Sequence, residues 1–219
     1  LLVVGADPIS LGVLAAPADW GADIVVGPTQ PLGVHMNCGG GVGGYIASRD
    51  EERFVREYNG FLVSITGTAK PGQFGFGLAS AHQTSYGMRE LGKDWTGNSV
   101  YLWAIANAVY LALLGPQGMR EVGETILHRR AYAAQLLASI PGVSTPFSSC
   151  FKEFVVDFSE TGRTVSAIHA SLRRRQIFGG KDLSTELPEL GQGSLYCVTE
   201  IHAKADLDRL AESVAEALR

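Results

Sequence analysis

The chain has 219 residues, 46% hydrophobic and 18% charged, with a formal net charge of −4. Such a composition supports a sizeable core and excludes a disordered chain, and the length fits one domain or a large and a small one. The mild acidity, with no basic patch interleaved with aromatics, argues against a nucleic-acid protein.

Leu1 to Val4 reads as an apolar strand that begins abruptly, with no initiator methionine and no positively charged leader or cleavage pattern. It has the character of a domain interior. Strands flanking it in a longer protein would be missing, which leaves an edge for a partner chain to cover. Gly5-Ala6-Asp7-Pro8-Ile9-Ser10-Leu11-Gly12 then turns into a short helical or looped segment.

The most informative stretch runs from Gly21 to Ala47. Ala22 to Val26 is a short β-branched apolar run ended by Gly27 and Pro28, the pattern of a buried strand entering a turn. Gln30, Pro31, Leu32 and Gly33 follow, then a polar patch of His35, Asn37 and Cys38, a glycine run from Gly39 to Gly44, and a second strand from Tyr45 to Ser48. Gly39, Gly41 and Gly44 satisfy G-x-G-x-x-G in form, but they open a strand and not the helix that a dinucleotide fingerprint requires. They read as glycines for positive φ and close backbone approach.

A charged segment around Arg49 to Arg53 predicts a short solvated helix up to Tyr58. Phe61 to Thr66 and Phe74 to Leu78, joined by Lys70-Pro71-Gly72-Gln73, predict a hairpin. Thr96 to Ser99 place hydroxyls and free amides before the next helix, which suits either an N-cap or an anion. Val100 to Leu114 carries no charge and predicts a helix buried all round, too short for a comfortable membrane span and ended by Gly115-Pro116-Gln117-Gly118. Met119 to Ile140 is an amphipathic helix stopped by Pro141-Gly142. Strands over Phe154 to Phe158 and Leu195 to Thr199, with helices over Thr164 to Arg175 and Asp206 to Leu218, predict a small α/β sandwich with a largely antiparallel sheet.

Three widely spaced cysteines, Cys38, Cys150 and Cys197, imply neither a disulfide framework nor a zinc site, and they point to a reducing, cytoplasmic setting with each thiol buried as a small hydrophobe. No H-x-x-x-H or acidic cluster offers a metal site. His128, His169 and His202 read as ordinary surface or half-buried residues, whereas His35 and His82 are candidates to contact a ligand in an adjacent site. Arg173 to Arg175 end a helix and complement its dipole.

GADIVVG, with Gln30-Pro31 and the glycine run, resembles the region around the cofactor lysine of fold-type I pyridoxal-phosphate (PLP) enzymes. The likeness is greatest to the P-protein family of the glycine cleavage system. It extends through LLVVGADPISLG, VYLALLGPQGMRE, FKEFVV, IFGG and LYCVTE, nearly the whole chain. In that register Gln30 and Pro31 stand where the PLP-carrying half of the family has a His-Lys pair, so the wording is similar to the lysine-less half, called subunit 1.

The resemblance implies an α/β fold: the C-terminal part of a fold-type I PLP-transferase large domain over residues 1–115, including the linking helix, then a small α/β domain with a mainly antiparallel sheet over 116–219. It further implies that Thr96, Gly97, Asn98 and Ser99 reach the phosphate of PLP bound in the partner subunit, although Gly92-Lys93-Asp94-Trp95 departs from the family wording. No PLP would be held covalently by this chain and no catalytic residue would be its own. The expected partners are the PLP-bearing subunit and lipoylated H-protein in a homo- or hetero-oligomer, with no nucleic acid or membrane. The function implied is that of the non-PLP-carrying component of glycine decarboxylase, which decarboxylates glycine and passes the aminomethyl group to the lipoyl arm. The alternative is a non-catalytic interaction module, a relic of the same fold. A third reading, an independent PLP enzyme, would need a lysine at the end of a suitable strand.

Overall fold

The computed structural model describes residues 1–34, 43–58, 62–79, 85–92 and 100–219. Two compact units divide the chain, Leu1–Leu113 and Leu114–Arg219.

In the first unit, β1 (Val3–Gly5) pairs in parallel with β2 (Ile24–Pro28), and β2 pairs antiparallel with β3 (Gly44–Ser48), giving the order β1-β2-β3. The β-branched residues Ile24, Val25 and Val26 favour the pleated conformation. Val4 lies opposite Val25, and Val26 opposite Ile46. Asp23 fixes the start of β2: its carboxylate accepts from the Leu2 amide at 2.8 Å and from Arg49 Nε at 3.2 Å. The Leu2 hydrogen bond foremost, with Arg49 assisting against partial desolvation, holds the Asp23 carboxyl below its ordinary range.

A four-residue helix α1 (Glu52–Val55) follows, and β4 (Leu62–Gly67) and β5 (Phe74–Ala79) form the expected antiparallel hairpin. Gly72 takes φ 77° in its turn, where a side chain would be strained. After α2 (Ser85–Met88) comes α3 (Tyr101–Ala138), whose helical dihedrals break at Gly115.

The expectation of a helix buried all round over Val100 to Leu114 is corrected. Leu102 is 71% exposed, Leu113 is 82% exposed, and Ile105 and Val109 also face outward, while the polar Asn107 is buried at 6%. Composition reports how much apolar surface a helix carries, not which stripe this chain covers. Here the covered stripe is the one with the amide.

In the second unit the sheet order is β6-β8-β7, all antiparallel, with β6 at Glu153–Asp157, β7 at Lys181–Asp182 and β8 at Gly193–Cys197. Helices α4 (Val165–Arg174) and α5 (Lys204–Ala217) contribute Ile168, Leu172, Leu207 and Val214 to a core shared with Phe154, Val156 and Tyr196 of the sheet. Each such side chain, fully buried, stabilises the fold by about 1.5–3 kcal/mol before the entropy of ordering is subtracted. Thr164 caps α4 by accepting from the Ala167 amide at 3.2 Å, and Arg129 donates to the carbonyls of Glu200 and His202.

His169 and the cysteines differ from expectation. His169 is 6% exposed, its Nε2 lies 3.1 Å from Ser194 Oγ, and that hydroxyl donates to the Gly179 carbonyl at 2.9 Å. Burial foremost pushes the His169 imidazole below its ordinary pKa, so the ring is neutral here. Cys197 is exposed and Cys150 half-buried, so neither is the buried hydrophobe expected; Cys38 lies outside the described residues. Among the described residues no helix is long and apolar enough to cross a membrane, and no three metal-binding side chains come together.

Candidate functional site

In open α/β sheets, ligands gather at the carboxyl ends of parallel strands. The corresponding place here is the end of β1 and β2, where Gly5-Ala6-Asp7 and the turn after Pro28 lie side by side. The Ala6 amide donates to the Val26 carbonyl at 2.9 Å. Tyr45 of β3 reaches across to donate its hydroxyl to the Ala6 carbonyl at 2.8 Å. Gly27 makes this approach possible: a Cβ there would lie 2.1 Å from the Ala6 carbonyl oxygen and 2.6 Å from the Tyr45 ring. Burial first, then the nearby Asp7 carboxylate, pushes the Tyr45 phenol above its ordinary pKa, so it remains a hydrogen-bond donor at neutral pH.

Asp7 organises the loop beyond β1. Its carboxylate accepts from the Ile9 amide at 2.8 Å, its carbonyl accepts from Ser10 Oγ at 2.6 Å, and Pro8 opens the short 3-10 turn Pro8–Gly12. An aspartate before a proline is a helix-start signature, legible in the sequence.

The turn beyond β2 is held from α3. Asn107 Nδ2 donates to the Leu32 carbonyl at 2.7 Å and to the Thr29 carbonyl at 3.1 Å. The turn closes on itself through the Leu32 amide to the Thr29 carbonyl at 3.0 Å and the Val34 amide to the Gln30 carbonyl at 3.2 Å. Gly33, at φ 82°, lies flat against Tyr110, with only 2.8 Å between a would-be Cβ and the ring. Asn107 was the residue that sequence reasoning missed; its signal was a lone amide in a charge-free apolar helix.

Gln30 and Pro31 therefore occupy a fixed turn at the end of β2. Neither carries a primary amine, and the five-residue run Thr29 to Gly33 offers none, so these residues do not fit a Schiff-base attachment of pyridoxal phosphate. The described lysines lie elsewhere: Lys70 in the β4–β5 turn, Lys152 just before β6, Lys181 paired with Glu186 at 2.7 Å, and Lys204 paired with Asp208 at 2.7 Å. The expected ligand contacts His35, His82, Thr96, Gly97, Asn98 and Ser99 all lie outside the described residues, as does Lys93.

Residues 1–213 match a family model described as glycine cleavage system P-protein. The chain is 38% identical over 218 residues to a probable glycine dehydrogenase (decarboxylating) subunit 1 of Staphylothermus marinus, covering 99% of this chain and 46% of that protein. It is 40% identical over 217 residues to a protein of the same description from Saccharolobus islandicus, again covering 99% and 46%. The chain thus spans about half the length of the curated relatives it matches.

Among solved structures, a glycine decarboxylase (P-protein) of the glycine cleavage system in inhibitor-bound form superposes with a TM-score of 0.84 at 34% identity, over 99% of this chain and 48% of that one. A cysteine desulfurase from Escherichia coli superposes with a TM-score of 0.66 at 17% identity, over 100% of this chain and 51% of that one. The latter likeness is one of fold alone, and the two together place the chain in the fold-type I PLP-dependent class.

Proposed function

The chain belongs to the glycine cleavage system P-protein family, and from that premise we propose that it is part of the subunit of glycine decarboxylase that does not itself carry PLP. The observation behind this reading is the Gln30-Pro31 turn, clamped by Asn107 at the end of β2, where the family resemblance puts the cofactor lysine. An imino acid at that point cannot hold an aldehyde, so the electron-withdrawing cofactor that glycine decarboxylation requires is supplied by a partner subunit. The assembled enzyme works in the cytoplasm. There it removes CO₂ from glycine and passes the aminomethyl group to the lipoyl arm of H-protein.

This chain's own contribution is a mating surface and the Thr96, Gly97, Asn98 and Ser99 loop, whose hydroxyls and amides suit the phosphate of the partner's cofactor. His35 and His82 are the further candidates to contact that cofactor. Oriented N–H groups and hydroxyls at a helix start attract an anion, and hydrogen bonds to charged groups contribute about 1.5–3 kcal/mol each.

The test is reconstitution of the full-length protein with the PLP-bearing subunit and lipoylated H-protein, following exchange of labelled bicarbonate into glycine. Exchange is expected only when both subunits are present. Borohydride trapping is expected to leave the pyridoxyl label on the partner alone. A pyridoxyl lysine on this polypeptide, or exchange without the partner, would overturn the reading.

A further inference from the structure

Residues 178–182, which lead from α4 into β7, have little apolar hold of their own. Phe178 is 90% exposed, and Gly180 and Lys181 face solvent. β7 is two residues long and pairs with Leu195 and Ser194 of β8. The inward tie is the buried Ser194 Oγ, which donates to the Gly179 carbonyl at 2.9 Å and lies 3.2 Å from the Lys181 carbonyl. A hydroxyl carries one proton, so with Ser194 donating to Gly179 its oxygen accepts from His169 Nε2, 3.1 Å away. The neutral ring with its proton on Nε2 completes this chain of bonds.

A second proton goes to Nδ1 and puts a charge beneath the Gly179-Gly180 step. That step is pressed down on the ring: a Cβ on Gly179 would lie 2.6 Å from both His169 Cδ2 and Leu172 Cδ1, and one on Gly180 would lie 2.3 Å from the Leu195 carbonyl oxygen. Of the charged groups facing the ring, Asp182 of β7 favours the imidazolium and Arg173, one turn along α4, opposes it, and burial outweighs the attraction. A buried charge without a matching partner is driven toward water, and it gets there by displacing the weakest cover. α4 is anchored by Val165, Ile168 and Leu172, none more than 1% exposed. Residues 178–182 have no comparable anchor between Ile177, which packs on the core, and the buried Leu183. They yield first.

We propose that His169, Ser194 and the Gly179-Gly180 step form an acid-sensitive latch: protonation of the ring releases residues 178–182 from β8 while α4 and the β6–β8 pair stay folded. Release uncovers the edge of β8 at Ser194 and Leu195, a row of backbone groups open to pairing with another strand. The proposal does not depend on the reaction assigned above.

Hydrogen exchange of the full-length protein, read by mass spectrometry with labelling times scaled to the intrinsic rate at each pH, tests it. The folded ring binds its proton less readily than the released one, so the latch is intact above about pH 6.5 and its opening rises by up to about tenfold per pH unit as pH falls toward the lowered folded value. Protection over residues 178–183, where the Leu183 amide donates to the Gly193 carbonyl at 3.0 Å, is expected to fall several-fold on acidification, while residues 153–157 and 165–174 keep theirs. In His169→Gln, whose amide still donates to Ser194 but takes up no proton, the fall is expected to vanish. Protection over 178–183 that is flat with pH in the native protein, or an equal fall over 153–157, overturns the proposal whether or not the variant folds. A fall that persists in a folded His169→Gln overturns it too.

Discussion

Replacing Asn107 with leucine removes both donors of the clamp while keeping the side-chain size. The Leu32 carbonyl, which accepts at 2.7 Å in a buried position, is left unpaired, at a cost of about 1–3 kcal/mol. The Thr29 carbonyl is only partly buried, so water recovers some of its loss, leaving about 0.5–1.5 kcal/mol. The extra apolar area of leucine returns up to about 1 kcal/mol. The net loss is about 2 kcal/mol, or roughly 30-fold in the opening equilibrium of the turn. Native-state hydrogen exchange reads this directly, because the Leu32 and Val34 amides donate to the turn's own carbonyls at Thr29 and Gln30. Protection at those two amides is expected to fall about 30-fold, while the Val156 and Tyr196 amides of the second unit keep theirs. Unchanged protection at Leu32 would refute the clamp, and an equal fall in both units would show that Asn107 acts on global stability and not on the turn.

Tyr45→Phe is expected to lose about 1 kcal/mol by urea denaturation, since it removes one hydrogen bond to Ala6 and leaves the ring in place. Gly180→Ala combines a φ of 84° with a Cβ only 2.3 Å from the Leu195 carbonyl oxygen, and is expected to cost the second unit about 3 kcal/mol or more; a urea midpoint within error of the parent would contradict this. His169 has a folded pKa below its unfolded value of 6.5, so its unfolded form binds more protons. Its contribution is present in full above about pH 6.5 and is lost as pH falls through the lowered folded value. His169→Gln is expected to flatten the acid limb of the pH–stability curve of the second unit, and a limb of unchanged slope would assign it to other groups.

The strands β2, β4, β6 and β8 were legible because each is a β-branched or aromatic run bounded by glycine, proline or polar residues, and α4 and α5 because Ile168, Leu172, Leu207 and Val214, at helical spacing in the sequence, are the residues that enter the core. β7 was not legible: Lys181-Asp182 has no apolar pattern and is a strand only because Leu195 and Ser194 of β8 pair with it. Histidine 169 was misjudged for a related reason. Its burial depends on Ser194, 25 residues away, offering a hydroxyl, which no local pattern announces. At the candidate site, the absence of an amine at Gln30-Pro31 could be read from the register of GADIVVG, but the clamp that fixes the turn joins residues 75 positions apart. An amide on an apolar helix face becomes informative only once the helix has been placed.

The outward face of α3 has a practical meaning. Leu102, Ile105, Val109 and Leu113 point into solvent, as do Phe74 and Phe76 of the hairpin. Exposed greasy side chains of this kind make molecules stick to one another when nothing else lies over them. Producing the polypeptide alongside whatever shields these side chains, and never separating the two during purification, should yield far more dispersed material than dilution or added salt, since salt strengthens such sticking.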